Sequence, residues 1–184
     1  QVRKTVALFY DFKEEAEEQY RKVCGIFAGA AESDEIWNAE VGFGSPNSVK
    51  TNVPIPTFST GKQSLYFFPE RILLESSEGV GILPYQDIQV STSSTTRERE
   101  AGQVPIDAEV VGSRWKHSNK DGSRDKRYKD NPKIKEFKME QVHLRSTSES
   151  PNSVRVTIGF SNTGVAAVVF EAIRFLPVRL EEQN

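Results

Sequence analysis

Short apolar runs separated by polar turns organise the middle of the chain, from Ser64 to Val90. A five-residue polar stretch, Glu75–Gly79, has apolar positions on both sides: Leu65, Phe67, Ile72 and Leu74 before it, and Val80, Ile82 and Leu83 after it. Apolar runs bounded by Ser, Gly and Pro are typical of strands, and so short a link favours antiparallel pairing. The pattern predicts a core hairpin of two buried strands joined by an acidic turn.

A second pattern predicts a strand-helix-strand unit at the N-terminus. Thr5–Tyr10 is rich in β-branched and aromatic residues, and Asp11 is placed to cap a helix, with Glu14 three residues later. The predicted helix has one apolar stripe, formed by Ala16, Tyr20, Val23, Phe27 and Ala30. The next strand is expected within Ser33–Val41.

The stretch that follows is irregular. Gly42–Gly61 is punctuated by Gly and Pro without a sustained period, which favours a linker or a long surface loop. It therefore predicts an N-terminal subdomain with its linker over residues 1–60 and a second subdomain over residues 61–184. Ser91–Gly102 is polar throughout, and it fits either the solvated end of a strand or a mobile loop.

The C-terminal part predicts three more strands and a closing helix. Val104–Val111 favours a short strand, and Phe137–Leu144 and Val154–Phe160 alternate apolar with polar residues. Ser161 or Asn162 can cap the helix. Its expected apolar face consists of Val165, Val168, Val169, Ala172, Ile173 and Leu176.

Composition fits a soluble globular protein, with 36% hydrophobic and 27% charged residues in a chain of 184. The net charge of -2 supplies no overall attraction to nucleic acid, so any such affinity needs a local patch. The lone Cys24 excludes an internal disulfide and is expected to be a small buried side chain. We expect a cytoplasmic location, and, because the chain begins with Gln1, an excised or processed part of a longer polypeptide.

The most polar segment, Ser113–Lys138, combines many cations with two aromatic rings. Basic side chains neutralise phosphates and flat rings stack on bases, so the segment is a candidate nucleic-acid or anion site. The candidate residues are Arg114, Trp115, Lys120, Arg124, Arg127 and Tyr128. The alternative interpretation is a solvated hairpin loop centred on Asp121 and Gly122, with Trp115 packed beneath it.

A metal-dependent nuclease is a third hypothesis. Asp107, Glu136 and Lys138 are the residue types that hold Mg²⁺ and activate water, although their spacing also arises often by chance. His117 and His143 fall in different predicted elements, which gives no dedicated zinc site. No cofactor and no small-molecule substrate is predicted.

Two stretches of the chain resemble known bacterial domains. YFFPERILL followed by GVGILPYQDI is similar to bacterial pleckstrin-homology-like modules. Val104–Asn131, with VALFYDF and EIWNAE, resembles an uncharacterised bacterial domain of larger cytoplasmic proteins. The resemblance implies a closing helix and ligands that are phosphoinositides, peptides or proteins. The turn Glu75–Glu78 lacks the basic cluster of the lipid binders, which argues against a membrane ligand.

Together these patterns predict an α+β protein: a mostly antiparallel, pleckstrin-like barrel or sandwich with a C-terminal helix, plus the N-terminal strand-helix-strand unit. The expected function is that of a non-catalytic interaction module of a larger bacterial protein, which binds a protein or peptide partner. An unpaired edge strand would be a suitable site for adding a peptide strand. The alternative is nucleic-acid binding by residues 113–138, and the nuclease is third.

Overall fold

The computed structural model describes residues 4–147 and 153–178, in which one α-helix follows the first strand and a second α-helix follows the last. The helices are α1 (Glu14–Ala31) and α2 (Val165–Arg174). The strands are β1 (Val6–Leu8), β2 (Ile36–Trp37), β3 (Glu40–Phe43), β4 (Val49–Thr51), β5 (Pro56–Ser59), β6 (Gln63–Phe67), β7 (Ile72–Ser76), β8 (Gly79–Leu83), β9 (Ile88–Glu100), β10 (Val110–Trp115), β11 (Lys133–Ser146) and β12 (Arg155–Phe160). The α+β class and the C-terminal helix are confirmed.

In the described part of the chain the strands form two antiparallel sheets of five strands and one parallel pair, β1 with β4. The first sheet has the order β3-β5-β6-β7-β8. The second is built on β11, which pairs with β9 along residues 134–146 and with β10, β12 and, through β12, β2 on its other side. Neither sheet closes on itself, so the barrel form of the prediction is wrong for the described residues.

The main core lies between the helices and both sheets. The buried side of α1 consists of Tyr20, Val23, Cys24, Phe27 and Ala30, which confirms the predicted stripe apart from half-buried Ala16. The Phe27 ring lies 5.0 Å from Phe58 and 5.1 Å from Phe67. One apolar cluster thus includes residues from both sides of residue 60, and the division into subdomains there stays a prediction.

The predicted central hairpin is a three-stranded meander. Residues 68–71 separate β6 from β7, where the sequence pattern indicated one continuous strand. The turn between β7 and β8 is confirmed but shorter than predicted, because Ser76 and Gly79 already pair. Gly79 has φ 125°, a left-handed value that glycine adopts without the steric cost of a Cβ.

Two more expectations about the first half are wrong. Asn38 has φ 64°, which breaks the predicted strand at Ser33–Val41 into β2 and β3, in different sheets. The predicted linker Gly42–Gly61 contains β4 and β5. Pro56 is tolerated there because it is the first residue of its strand.

Both predicted helix caps are wrong. α1 begins after Lys13 and not at Asp11, and α2 follows Gly164 in a left-handed conformation with φ 89°. Ser161 is used elsewhere, since its hydroxyl donates to Asp107. The exposed Val168 does not belong to the apolar face of α2. Within the described residues, neither helix is long and apolar enough to span a membrane.

The remaining strand predictions hold in part. The polar residues Ser91–Gly102 belong to β9 as far as Glu100, so the strand interpretation is confirmed and the loop interpretation is wrong. β10 begins at Val110, later than the predicted strand. β11 and β12 confirm the two alternating stretches, and β11 is longer than predicted, with 14 residues.

Candidate functional site

One edge of β9 has no partner strand among the described residues. Its 13 residues pair with β11 in a continuous antiparallel register from Ile88 opposite Ser146 to Glu100 opposite Ile134. On the other edge of β11, β10 pairs with residues near its start and β12 with residues near its end. β9 is therefore the outer strand of the sheet over its whole length.

Hydrogen bonds at the strand ends show which main-chain groups of β9 point outward. The N–H of Thr147 donates to the carbonyl of Asp87 at 2.8 Å, so odd-numbered residues of β9 exchange bonds with β11. The N–H groups of Lys138 and Ser146 donate across the opposite edge of β11, to Glu109 and Val154. The main-chain groups of the even-numbered residues of β9 consequently face outward.

An open groove of about 500 Å³ lies beside the first residues of this edge. β9 and α2 form its two walls, and it is lined by Tyr85, Gln86, Ile88, Val90, Phe170, Ile173, Arg174, Leu176 and Pro177. Arg174 also lies over the ring of Phe170, at 5.3 Å from its centroid. Ile88 and Val90 thus belong both to the open edge and to an apolar groove.

The two faces of this sheet differ sharply in charge. Side chains alternate along a strand, and the register places odd-numbered residues of β2, β9, β11, β12 and the part of β10 from Gly112 on one side, here called the odd face. The opposite side is the even face. All four carboxylates of these strands lie on the even face: Glu98, Glu100, Glu136 and Glu140. Six cations lie on the odd face: Arg97, Arg99, Lys133, Lys135, Arg145 and Arg155.

The even face changes from core to surface along β11. Val142 and Leu144 belong to the main core, against which α2 packs. Further toward the loop the same face carries ion pairs between exposed or half-exposed side chains. Their closest N···O distances are 2.9 Å for Arg114 with Glu98, 3.7 Å for Lys116 with Glu100 and 3.6 Å for Lys138 with Glu140.

The odd face holds a small second core. Phe137 and Met139 are fully buried there, outside the main cluster. The guanidinium of Arg97 stacks on the ring of Trp37, and that of Arg99 lies 5.7 Å from the centroid of Phe137. Arg97 and Arg99 therefore cover this core on its outer side.

Glu35 fixes one of these cations in place. Both of its carboxylate oxygens accept from Arg99, at 2.5 and 2.6 Å, and one also accepts from the indole N–H of Trp37. The hydrogen bonds from Arg99 hold the pKa of Glu35 below its usual range, against the opposing effect of partial burial. Glu35 flanks β2 and is the carboxylate that reaches this part of the odd face.

Between β10 and β11 the basic segment forms an ordered loop. Asn131 is buried, and its side chain accepts from the N–H of His117 and donates to the His117 and Asp125 carbonyls, which ties the two ends of the loop together. The ring of His117 stacks on Tyr128 at 3.9 Å. Gly122 has φ 82° in the tip turn. The hairpin loop predicted around Asp121 and Gly122 is thus present.

Trp115 and Asp125 anchor two cations of this loop. The ring of Trp115 is half-buried, with the Arg124 guanidinium at 5.4 Å and the Lys133 ammonium at 5.2 Å from its centroid. Arg127 donates to both carboxylate oxygens of Asp125, which lowers the pKa of Asp125 to about 2. Trp115 is therefore a packed residue that still presents part of its ring.

The six predicted site residues do not lie on one surface. Arg114 is on the even face with Glu98, whereas Trp115 is on the odd face with Arg124. Arg127 and Tyr128 are engaged within the loop, and Lys120 is exposed near its tip. Arg97 and Arg99 lie outside the predicted segment. The strict alternation Arg-Glu-Arg-Glu at residues 97–100 is the signal that could have placed both arginines on one face.

The residues of the nuclease hypothesis serve other contacts. Asp107 accepts from the Asp34 N–H at 2.9 Å and from the Ser161 hydroxyl at 2.6 Å. Glu136 and Lys138 lie on the even face of β11, with the Lys138 ammonium next to Glu140. Within residues 4–147 and 153–178 no group of three His, Cys, Asp or Glu side chains could hold a metal ion.

The histidines and the cysteine have ordinary environments. The ring of His143 lies between Ser93 and Thr157, with N···O distances of 2.7 and 2.9 Å, while His117 is in the loop. Cys24 is buried as expected, and burial raises the pKa of its thiol to about 11. Cys24 is therefore protonated near neutral pH, which is the opposite of an activated nucleophile.

A scan against protein-family models and searches of curated proteins and of solved structures found no match to this chain. The resemblance to pleckstrin-homology-like modules stays a prediction.

Proposed function

We propose that this protein is a non-catalytic interaction module that binds an extended peptide segment of a partner protein along the open edge of β9. The observation that carries the proposal is the coincidence of that edge with the groove between β9 and α2. A peptide strand added to a sheet gains affinity from main-chain hydrogen bonds and specificity from pockets for alternate side chains. β9 offers both.

Up to Thr96 the edge lacks the prolines, bulges and charged side chains that usually protect an edge strand against strand addition. Natural edge strands are blunted by prolines, bulges, inward charges or short length. β9 runs without a proline or a register shift for 13 residues, roughly 40 Å. Its middle, Ser91–Thr96, is uncharged and mostly exposed. By contrast β8, at the edge of the other sheet, has only five residues.

The groove supplies a place for side chains of the incoming strand. Ile88 and Val90 are even-numbered, so their side chains line the groove while their main-chain groups point toward the added strand. Phe170 and Ile173 form the facing apolar wall, and Arg174 adds a positive charge. We infer that the bound segment is extended, with an apolar residue entering the groove and an acidic residue beside Arg174.

The pleckstrin-like fold and the place of this module in a larger bacterial cytoplasmic protein belong to the same proposal. The meander β6–β8 and the closing helix α2 support the former, and peptides and proteins are among the ligands that such folds bind. The turn at Ser77 and Glu78 carries no cation, which gives a lipid headgroup no partner there.

The test depends on which residues of β9 have main-chain groups that point outward, namely the even-numbered ones. Phage displaying random peptides of about ten residues are selected on the whole protein, and an enriched peptide is measured against Thr92→Pro and Ser94→Pro. Each substitution removes one outward N–H and leaves the bonds to β11 intact. We expect both variants to remain folded and to lose at least tenfold in affinity.

Matched controls separate main chain from side chain. Thr92→Val and Ser94→Ala keep every main-chain donor and should bind like the unmodified protein. Ser93→Pro removes an inward N–H and should lower the midpoint of thermal unfolding. Selection of no peptide, or equal binding to the Ser94→Pro and Ser94→Ala variants, would rule out strand addition at β9. Enrichment of a copy of β9 would instead indicate self-association through the same edge.

A further inference from the structure

The odd face of the second sheet carries a cationic surface that peptide addition at the edge does not explain. Six cations and no carboxylate belong to the five strands on this face. Lys135 lies directly opposite Arg99, and Arg145 directly opposite Arg155. Like charges in direct opposition destabilise a sheet. Glu35 binds Arg99 and so offsets part of the first repulsion, which leaves the pair of Arg145 and Arg155 as the stronger sign that the charge serves a ligand.

Part of this charge is held in place before any ligand arrives. Arg97 is stacked on Trp37 and Arg124 lies over Trp115, so the indole rings restrict both guanidiniums. Neither arginine forms an ion pair with a carboxylate among the described residues. A stacked guanidinium keeps its N–H edge available for phosphate oxygens.

Between the charged ends the face is polar and uncharged. Ser93 and Ser91 on β9 lie opposite Gln141 and His143 on β11, and Thr95 lies opposite the buried Met139. The distance along β11 from Lys133 to Arg145 is roughly 40 Å. The face therefore offers a long track with cations at both ends and hydrogen-bonding groups between them.

We propose that the odd face binds single-stranded nucleic acid, with phosphates on Lys133, Lys135, Arg97 and Arg124 and a base stacked on the exposed part of Trp115. Charge complementarity selects a polyanion, since a chain with a net charge of -2 concentrates six cations here. The partly exposed indole of Trp115 favours unpaired bases over a duplex, whose bases are already stacked. An acidic peptide would match the charge of this face, but it has no base to stack on the Trp115 ring.

Fluorescence anisotropy of a labelled oligothymidylate of about 15 nucleotides tests this site. We expect binding that weakens roughly a hundredfold between about 50 mM and about 200 mM salt, as release of counterions from several phosphates requires. The double variant Lys133→Ala with Lys135→Ala should lose roughly tenfold in affinity at the lower salt. Its control is Arg114→Ala with Lys138→Ala, which removes the same charge from the even face and should bind normally.

Two variants of Trp115 test the contribution of ring stacking. Trp115→Ala should lose roughly tenfold, whereas Trp115→Phe, which keeps a stacking surface, should lose much less. Circular dichroism confirms that each variant is folded. No binding at the lower salt, equal losses from the odd-face and even-face doubles, or tighter binding of a duplex or of polyglutamate would overturn the proposal. Because Thr92→Pro and Ser94→Pro leave these side chains in place, they should bind the oligonucleotide normally.

Discussion

The odd and even faces of the second sheet belong to the same strands but are buried at opposite ends of β11. Near the C-terminal end of β11 the even face is buried, with Leu144 1% exposed, while His143 on the odd face is half-exposed and hydrogen-bonded to Ser93 and Thr157. Near its start the burial is reversed: Phe137 on the odd face is fully buried and Glu136 on the even face is not. One strand thus contributes to two cores on opposite sides.

This reversal explains why the odd face can be both structured and charged. The second core includes Phe137, Met139 and the ring of Trp37, and Arg97 and Arg99 cover it from outside. Burial of the rings stabilises the sheet, while the guanidiniums remain at the surface. The main core on the even face has no such cover of cations, because α2 closes it.

The largest expected effect concerns the second core. Phe137→Ala should lower the free energy of unfolding by about 3–5 kcal/mol, because it leaves a cavity beneath Arg97 and Arg99. Glu136→Ala, on the neighbouring residue, should change it by less than about 0.5 kcal/mol. Urea denaturation of both variants measures the difference. Similar values for the two would show that the odd face is not buried at this point.

The opposite order is expected seven residues further along β11. Leu144→Ala should cost about 2–5 kcal/mol in the same urea experiment. His143→Ala removes two hydrogen bonds at a half-exposed site and should cost about 1 kcal/mol. A larger cost for the histidine variant would contradict the assignment of faces.

A smaller effect on stability is expected from pH, through Glu35, which holds Arg99 over the second core. Because the pKa of Glu35 is lowered in the folded protein, its stabilisation is present above the unfolded pKa and is lost as pH falls through the folded value. Arg99→Gln should raise the pKa of Glu35 toward its usual range and remove this acid-side loss. Carboxyl-carbon NMR titration measures the shift, and an unchanged Glu35 would refute the pairing.

Asp125 and Arg127 supply the smallest effect, which is confined to the loop. Arg127 holds the pKa of Asp125 at about 2, so the pair persists to low pH. Arg127→Gln should return the Asp125 pKa toward its usual range without moving that of Glu35. The same titration reports both carboxylates in one experiment, and a coupled change in Glu35 would count against independent sites.

Local patterns predicted individual elements better than their connections. The stripe Tyr20–Ala30 gave α1, and alternation gave β11 and β12, because side-chain period depends on local geometry. The break at Asn38 and the turn at Pro69 were missed, since one left-handed residue or a four-residue turn leaves little trace in an apolar pattern. The cap at Ser161 failed because its hydroxyl makes a tertiary contact with Asp107, and α1 begins after Lys13, two residues beyond the predicted cap at Asp11.

The candidate sites depended on pairing that the sequence does not state. Segment 113–138 was correctly singled out as basic and aromatic, but its residues divide between two faces and a loop. Arg97 and Arg99 join it only because β9 pairs with β11 over its full length. The open edge of β9 likewise follows from which strands occupy the two sides of β11.

Amide hydrogen exchange along β9, with and without a selected peptide, tests the central claim most directly. In the free protein the amides of Ser93 and Thr95 should be protected, and those of Thr92, Ser94 and Thr96 should exchange rapidly. Bound peptide should protect the three even-numbered amides and leave the odd-numbered ones unchanged. Protection of Thr92 and Ser94 already in the free protein, or no change in their exchange when peptide is bound, would contradict strand addition at this edge.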